Sequence, residues 1–249
     1  MSMHRLLVIR HPIAADLLRV EGGEAHHAVH VLRLRGGDRF VAFDGRGAEW
    51  EAEVVAVAGD EIVARVVSER PAVTLPYRLT LYQGLPKADK MDHIVRMGTE
   101  VGVSVFVPVL AGRSVKRGAR LDRWRRIASE ACKQSRRAQI PEVCEPVDFA
   151  AALERFRRHA VRLALWEGGG VPILRALAQA DRAWDIGVFV GPEGGFEERE
   201  VDALREVATL CGLGPLVLRT ETAAVAAGAI VLGWCGAGAA GGEGLHRPG

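Results

Sequence analysis

From residue 79 to residue 234 short apolar runs alternate with segments of helical spacing, and this alternation limits the fold more than any other feature of the chain. Residues 79–82, 103–109, 161–166 and 186–190 read as strands. Between and after them, 87–101, 121–136, 150–156, 172–180 and 197–210 read as helices, followed by a short strand at 216–218 and a closing helix of small residues over 222–234. Met91, Ile94, Val95 and Gly98 share one face of the first helix. Leu121, Trp124, Ile127, Ala128 and Ala131 share one face of the second. Strands separated by helices pair in parallel and are covered on both faces, so the expected class is α/β with a parallel sheet.

The first seventy or so residues have a different rhythm. Residues 6–9, 39–43, 50–57 and 62–67 are short strand candidates. A turn at Asp44-Gly45-Arg46-Gly47 and another at Gly59-Asp60 separate the last three. Residues 24–34 have helical spacing. Short strands joined by glycine turns suggest a small β-barrel. Pro71 and Pro76 mark 68–77 as a linker. The expected organisation is therefore a barrel over 1–72, an α/β domain over 73–235, and a tail over 236–249 whose Gly and Ala content reads as disordered.

Net charge is only +2 and says nothing of partners, but the charge is unevenly placed. Arg113 to Arg137 holds ten basic residues, among them Arg113, Lys116, Arg117, Arg123, Arg126, Lys133, Arg136 and Arg137, against Asp122 and Glu130. Such a run is a footprint for phosphates, and equally a solvated helix face. The four cysteines are scattered without a CxxC pair, which fits free thiols in a reducing cytosol. Nothing near the N-terminus resembles a leader, and the apolar run 223–235 is too short and small-residue-rich for a membrane span. A cytoplasmic protein with no membrane partner is expected.

In open parallel sheets ligands bind beyond the carboxyl ends of strands. Three such ends carry unusual residues: Leu165-Trp166-Glu167-Gly168, Gly191-Pro192-Glu193-Gly194-Gly195, and Leu218-Arg219-Thr220-Glu221-Thr222. The glycine-rich segment is neither a Walker loop nor GxGxxG. It suits a ligand with an adenine and a ribose but no polyphosphate, held by main-chain atoms, and it equally suits a plain strand–helix turn. Thr220 or Thr222 fits a helix cap and Glu221 a helix start, whereas an Arg219 directly after an apolar run serves no core.

His26, His27 and His30 cluster on one helix, with His26 and His30 four apart. No Glu completes HExxH and no third ligand is evident, so no metal is expected; a polar face beside RNA fits better. Trp124 and Trp166 read as core rather than stacking platforms. No GxSxG elbow and no Cys–His pairing is legible, which leaves a hydrolase without a nucleophile.

Four blocks, covering nearly all of the chain except the tail, resemble the 16S ribosomal RNA uridine-N3 methyltransferases of the SPOUT superfamily. They are His26-His27 with Val31-Leu32-Arg33 and Phe43-Asp44-Gly45; Lys87 to Asp92 running into Thr99-Glu100-Val101-Gly102 and Arg113-Ser114-Val115; Trp124, Glu130-Ala131, Gln134-Ser135, Arg137 and Pro141; and Gly191 to Phe196 joined to Leu213-Gly214 and Leu218 to Ala223. The last block is the most specific. The resemblance implies a PUA-like RNA-binding barrel, a C-terminal SPOUT domain with a trefoil knot, a homodimer, and S-adenosylmethionine as cofactor. It places the cofactor on Leu165, Trp166, Glu167, Gly191, Pro192, Glu193, Gly194, Gly195, Leu213, Leu218, Arg219, Thr220, Thr222 and Ala223. Two positions depart from the family pattern: Leu216 stands where many relatives carry a basic residue, and Arg136 where a Gly is common.

The implied reaction is attack of uridine N3 on the cofactor's methyl carbon. Arg219 and Arg137 are candidates to stabilise charge on the base oxygens, and Glu221, Glu193 or Glu130 to take the N3 proton. His26, Arg33, Arg35, Arg113, Arg123, Arg126, Lys133 and Arg136 are the candidate contacts to 16S rRNA in the small ribosomal subunit. Rival readings are a SPOUT enzyme acting on tRNA or 23S RNA, and an RNA-binding assembly factor without catalysis. A nucleotide-dependent oxidoreductase is disfavoured by the missing dinucleotide fingerprint.

Overall fold

The computed structural model describes residues 3–10, 16–114, 120–180 and 185–240, with side chains as far as 236 in the closing helix. Lys116 and Arg117 of the basic run and residues 241–249 of the tail lie outside the described residues. The chain divides into two compact units. One comprises Met1–Thr74 with Cys132–Ile140, the other Leu75–Ala131 with Pro141–Gly249.

The first unit contains β1 (Arg5–Leu7), β2 (Ile9–Arg10), β3 (Leu17–Glu21), α1 (Gly22–His26), β4 (Arg39–Phe43), β5 (Glu49–Ala58) and β6 (Glu61–Glu69). The strands form one sheet in the order β1-β4-β5-β6-β3-β2, antiparallel except between β1 and β4. Its two edges, β1 and β2, are separated in sequence by Val8 alone. The chain itself thus joins the edges and curls the sheet into a barrel. Phe40, Trp50, Ile62, Leu18 and Val20 fill the interior. The helix expected over 24–34 is instead α1 followed by a π-helical turn, His27–Val31, in which Leu32 N–H reaches back five residues to His27.

The second unit runs β7 (Arg78–Gly84), α2 (Lys90–Glu100), β8 (Val105–Leu110), α3 (Leu121–Ser135), β9 (Glu142–Val143), β10 (Val147–Asp148), α4 (Phe149–Phe156), β11 (Val161–Leu165), β12 (Val171–Pro172), α5 (Ile173–Gln179), β13 (Asp185–Val190), α6 (Glu198–Arg205), β14 (Thr209–Gly212) and α7 (Thr220–Ala240). The last turn of α3 belongs to the first unit. The sheet order is β10-β8-β7-β13-β11-β14-β12, parallel throughout, with β9 also on β8. β7, β8 and β13 are buried along almost their whole length, as strands covered on both faces must be. Tyr82, Val107, Phe156, Phe189 and Phe196 form the core on one side. On α2, Gly98 lets the helix lie against Phe106: a Cβ there would stand 2.7 Å from the ring.

Three expectations are corrected. Residues 206–210 are not helix: α6 stops at Arg205, and Thr209–Gly212 is a strand that pairs with β11. Residues 216–218 are not a strand but an exposed loop, with Leu216 and Val217 77% and 80% exposed. The closing helix runs on to Ala240, so 236–240 are helical rather than disordered.

α3 ends in a Schellman motif. Arg136 takes a left-handed conformation (φ 59°), and Arg137 N–H bonds the Cys132 carbonyl five residues back at 3.1 Å. Glycine is the usual occupant of such a position because it has no Cβ to clash, so Arg136 holds a backbone conformation that favours glycine. Among the described residues no helix is long and apolar enough to cross a membrane.

Candidate functional site

β13, β11 and β14 are neighbours in the sheet, so the loops after their carboxyl ends lie side by side. Together they enclose a cavity of about 690 Å³, within the range of small-molecule sites. From the loop after β11 come Leu165, Trp166, Glu167 and Gly168 to Gly170. From the loop after β13 come Gly191, Pro192, Glu193, Gly195 and Phe196. From the segment between β14 and α7 come Leu213 to Thr220, with Ala223 in the first turn of the helix. The true third strand is β14, which ends four residues before the segment that local apolarity marks as one.

Main-chain packing holds the loops. Gln83, fully buried at the end of β7, donates from Nε2 to the carbonyls of Gly84 (2.9 Å) and Gly191 (3.3 Å) and to Thr220 Oγ1 (2.9 Å). Thr220 Oγ1 donates in turn to the Gly191 carbonyl at 2.6 Å. Thr220 thus ties the start of α7 to the β13 loop rather than capping its own helix. A Cβ on Gly84 would lie 2.5 Å from Pro192 Cδ, and one on Gly170 2.5 Å from the Leu210 carbonyl. The glycines there serve strand-to-loop packing. Gly169, Gly212 and Gly214 behave differently: an added Cβ meets no atom within 4 Å, although all three line the cavity. They leave space that side chains would otherwise fill.

The charges at the site fall into two sets. Glu193 accepts from Lys87 N–H (2.9 and 3.2 Å) and pairs with Lys90 Nζ (2.9 Å). Burial works against ionisation of Glu193. The hydrogen bonds from Lys90 and from backbone N–H groups outweigh it and hold the carboxyl below its ordinary range. A carboxylate held this way is a loop clamp and a poor proton acceptor. Lys90 also lies 3.6 Å from Glu221, and its ammonium is pushed up, chiefly by the bond to Glu193. Arg113 donates to the Gly194 carbonyl at 2.6 Å and lines the cavity, so it braces a loop. Arg219 and Glu167, in contrast, are exposed at the rim and make no side-chain bond among the described residues.

A family model described as an RNA methyltransferase domain matches residues 73–232, and one described as an RNA methyltransferase PUA domain matches 20–67. The chain belongs to the RNA methyltransferase family. It is 33% identical over 222 residues to the ribosomal RNA small subunit methyltransferase E of Bacillus subtilis, covering 84% of this chain and 87% of that one. With the Mycobacterium bovis enzyme of the same name it shares 35% over 223 residues, 85% and 84% of the two chains. The crystal structure of the Neisseria gonorrhoeae enzyme bound to S-adenosyl methionine superposes with a TM-score of 0.82 at 28% identity, over 92% of this chain and 96% of that one. The C-terminal sheet is thus the knotted SPOUT-type methyltransferase fold, and the N-terminal unit is PUA-like.

Within this family member most of the expected cofactor positions line the cavity: Leu165, Trp166, Glu167, Gly191, Pro192, Glu193, Gly195, Leu213, Leu218, Arg219, Thr220 and Ala223. Gly194 and Thr222 do not. The Gly194 carbonyl instead receives Arg113, and Thr222 is exposed on the far side of the α7 turn. Gly170 and Cys211, unmarked in the sequence, and Lys90, marked only as part of a resembling block, come to the site through the sheet order. Arg137 lies in the first unit, 8% exposed, and is not among the cavity-lining residues. Glu130 is exposed on α3 and likewise not among them.

The expected RNA contacts divide more sharply. His26, Arg33, Arg35, Arg126 and Arg136 are exposed. Lys133 is not available: its side chain is 13% exposed and its ammonium sits 2.7 Å from Glu24. Arg123 binds Asp92 at 2.6 Å, beside the Trp124 indole N–H that donates to the same carboxylate at 3.1 Å. Lys133 is thereby committed to the fold, whereas Arg123 anchors Asp92 with 49% of its side chain still exposed.

A second polar cluster joins Tyr82 of β7, His159 just before β11 and Asp185 at the start of β13. The Tyr82 hydroxyl is 2.9 Å from His159 Nε2, whose Nδ1 is 3.0 Å from Asp185. The spacing is that of a nucleophile, base and orienting acid. However, Tyr82 is 2% exposed and burial pushes its hydroxyl up to about 12. The cluster satisfies buried polar groups and has no route to a substrate.

Proposed function

We propose that this chain transfers a methyl group to N3 of a uridine in 16S rRNA, using S-adenosylmethionine. The observation that carries the proposal is the cavity at three adjacent strand ends, glycine-walled and without a polyphosphate loop, in a chain whose relatives include ribosomal RNA small subunit methyltransferases E. Open space above Gly169, Gly212 and Gly214 fits an adenosine lying against main chain. The free carboxylate of Glu167 at the rim suits hydroxyl or ammonium donors. When bound, the cofactor supplies an electrophilic methyl carbon.

The remaining work belongs to the chain's own residues. The three loops fix where that carbon lies and so align the incoming N3. Arg219, exposed at the rim, stabilises negative charge as it spreads onto the base oxygens. That charge stabilisation favours loss of the N3 proton. Glu193 is not the acceptor, being held by Lys87 and Lys90. Glu221, 3.6 Å from Lys90 and not among the cavity-lining residues, is a positioning residue, so the proton passes to solvent at the open rim. The exposed arginines Arg33, Arg35, Arg126 and Arg136, with His26, supply contacts to the RNA. Exposed Leu216 and Val217 beside the cavity support a homodimer in which a second copy covers them. The setting of the reaction is the cytoplasm, where small subunits are found.

Small ribosomal subunits lacking the modification, incubated with the protein and methyl-labelled cofactor, should acquire label in 16S rRNA, and nucleoside mapping should place it at uridine N3. Label confined to tRNA or 23S RNA, or none at all, would overturn the proposal.

A further inference from the structure

The first unit carries a cluster of metal-ligating groups outside the cavity, of which His30 and Asp60 have no part in the proposed methyl transfer and His26 is named only as an RNA contact. His26 ends α1, His30 lies in the π-helical turn that follows, and Asp60 sits in the turn between β5 and β6. His26 Nδ1 is 3.3 Å from Asp60 Oδ1, and His30 Nε2 is 3.6 Å from the same oxygen. All three ligand atoms lie within 4.8 Å of one another, and the two imidazole rings are 4.4 Å apart between centroids. The sequence supplies two histidines four apart and no visible third ligand. The fold supplies Asp60, thirty residues further on, by pairing β6 with β3 directly before α1.

We infer that His26, His30 and Asp60 form a binding site for a divalent transition-metal ion of the zinc type. Metal–ligand bonds of about 2.0–2.1 Å at tetrahedral angles separate neighbouring donor atoms by about 3.3–3.4 Å. The two distances to Asp60 are already close to that, so closing on an ion needs only small side-chain rotations. Two imidazoles and one carboxylate match zinc, nickel or copper rather than calcium or magnesium, which take oxygen donors. The three side chains are 56–62% exposed, which gives the ion an entry path and leaves the fourth position to water. The π-helical turn is itself a rare distortion that recurs at functional sites, and it carries His30. An ion there would clip the helix onto the β5–β6 turn within the barrel. The inference does not depend on the methyltransferase proposal.

Untagged, metal-stripped, full-length protein titrated calorimetrically with zinc chloride alone should take up one equivalent. His30→Ala and Asp60→Asn should each weaken that uptake on the order of tenfold or more. Both positions are exposed, and thermal unfolding without metal should match the parent protein. Cobalt bound in place of zinc should show the visible absorption of a four-coordinate ion in the parent and lose it in both variants. No uptake, or uptake and cobalt spectrum unchanged in both variants, would show that these three side chains do not hold an ion.

Discussion

The cavity loops and the basic helix present opposite relations between side chains and function. In the loops the side chains matter less than their absence. Gly84 and Gly170 let strands and loops touch, and Gly169, Gly212 and Gly214 leave room. In α3 and its flanks the side chains are conspicuous, yet several serve the fold: Lys133 pairs with Glu24, Arg123 with Asp92, and Arg113 braces Gly194. A glycine-rich strand end therefore points to its ligand more directly than a count of cations does to its phosphates. Cations near buried carboxylates are recruited by them, because an uncompensated buried charge costs several kcal/mol.

The largest effect should come from Arg219, a cavity-lining cation without a side-chain bond among the described residues. Arg219→Ala should lower kcat for rRNA methylation by about 100-fold or more, as loss of one charge-stabilising donor does, with cofactor affinity falling much less. Single-turnover methylation and calorimetry separate the two. Equal losses in both would move Arg219 from chemistry to cofactor binding. Gly212→Val probes the opposite property. The added side chain meets no protein atom within 4 Å at Cβ, so the unfolding temperature should hold while cofactor affinity falls about tenfold to a hundredfold. A fall in stability instead would mean that the space is not the ligand's.

The Glu193 clamp offers a pH test. Its carboxyl ionises below the ordinary range in the folded protein. Its contribution to loop order is therefore complete above the unfolded-state pKa and is lost as pH falls through the lower, folded value. Cofactor affinity should decline on acidification in the parent, and Glu193→Gln should start several-fold weaker and show a shallower decline. An unchanged profile in the variant would assign the acid sensitivity elsewhere.

How far the sequence reaches can be judged from particular residues. Local signals located β7, β8, β11 and β13 and the loops after β11 and β13, because continuous apolar runs ending in glycine are local events. They failed at the third wall. Val201, Leu204 and Ala208 continue a helical spacing into Leu210 and Cys211, whereas the chain in fact leaves α6 at Arg205 and pairs Thr209–Gly212 with β11. Only that non-local pairing makes Leu210 a strand residue. Leu216-Val217-Leu218 misled for the complementary reason: three apolar residues read as a strand although nothing in this unit covers the first two. Gln83 escaped notice, and Lys90 was marked by resemblance without a role, because sheet order alone carries them to the site.

On the basic helix, Arg123 and Arg126 are three apart and look equivalent in sequence. The structure makes them different. Arg126→Ala should weaken RNA binding a few-fold and reduce the salt dependence by about one counterion. Arg123→Ala should leave the salt slope alone and lower stability by about 1–2 kcal/mol, since the Asp92 carboxylate loses a charged partner at a partly exposed site. Filter binding across a salt series and thermal unfolding read the two outcomes. If both variants changed the salt slope equally, the Asp92 pair would be incidental.

Arg136 joins the two behaviours in one residue, because it is an exposed cation at a position whose backbone favours glycine. Its left-handed φ of 59° costs a residue with a Cβ about 1 kcal/mol, whereas glycine pays mainly through its freer unfolded chain. Arg136→Gly and Arg136→Ala remove the same charge, so both should lose the same small increment of RNA affinity. Only the glycine variant relieves the backbone, and it should unfold about 0.5–1 kcal/mol later than the alanine variant. Equal stability in the two would show that the Schellman turn is relaxed with a side chain present. A difference in stability at equal RNA affinity would show that this chain keeps a cation there at the expense of its helix end.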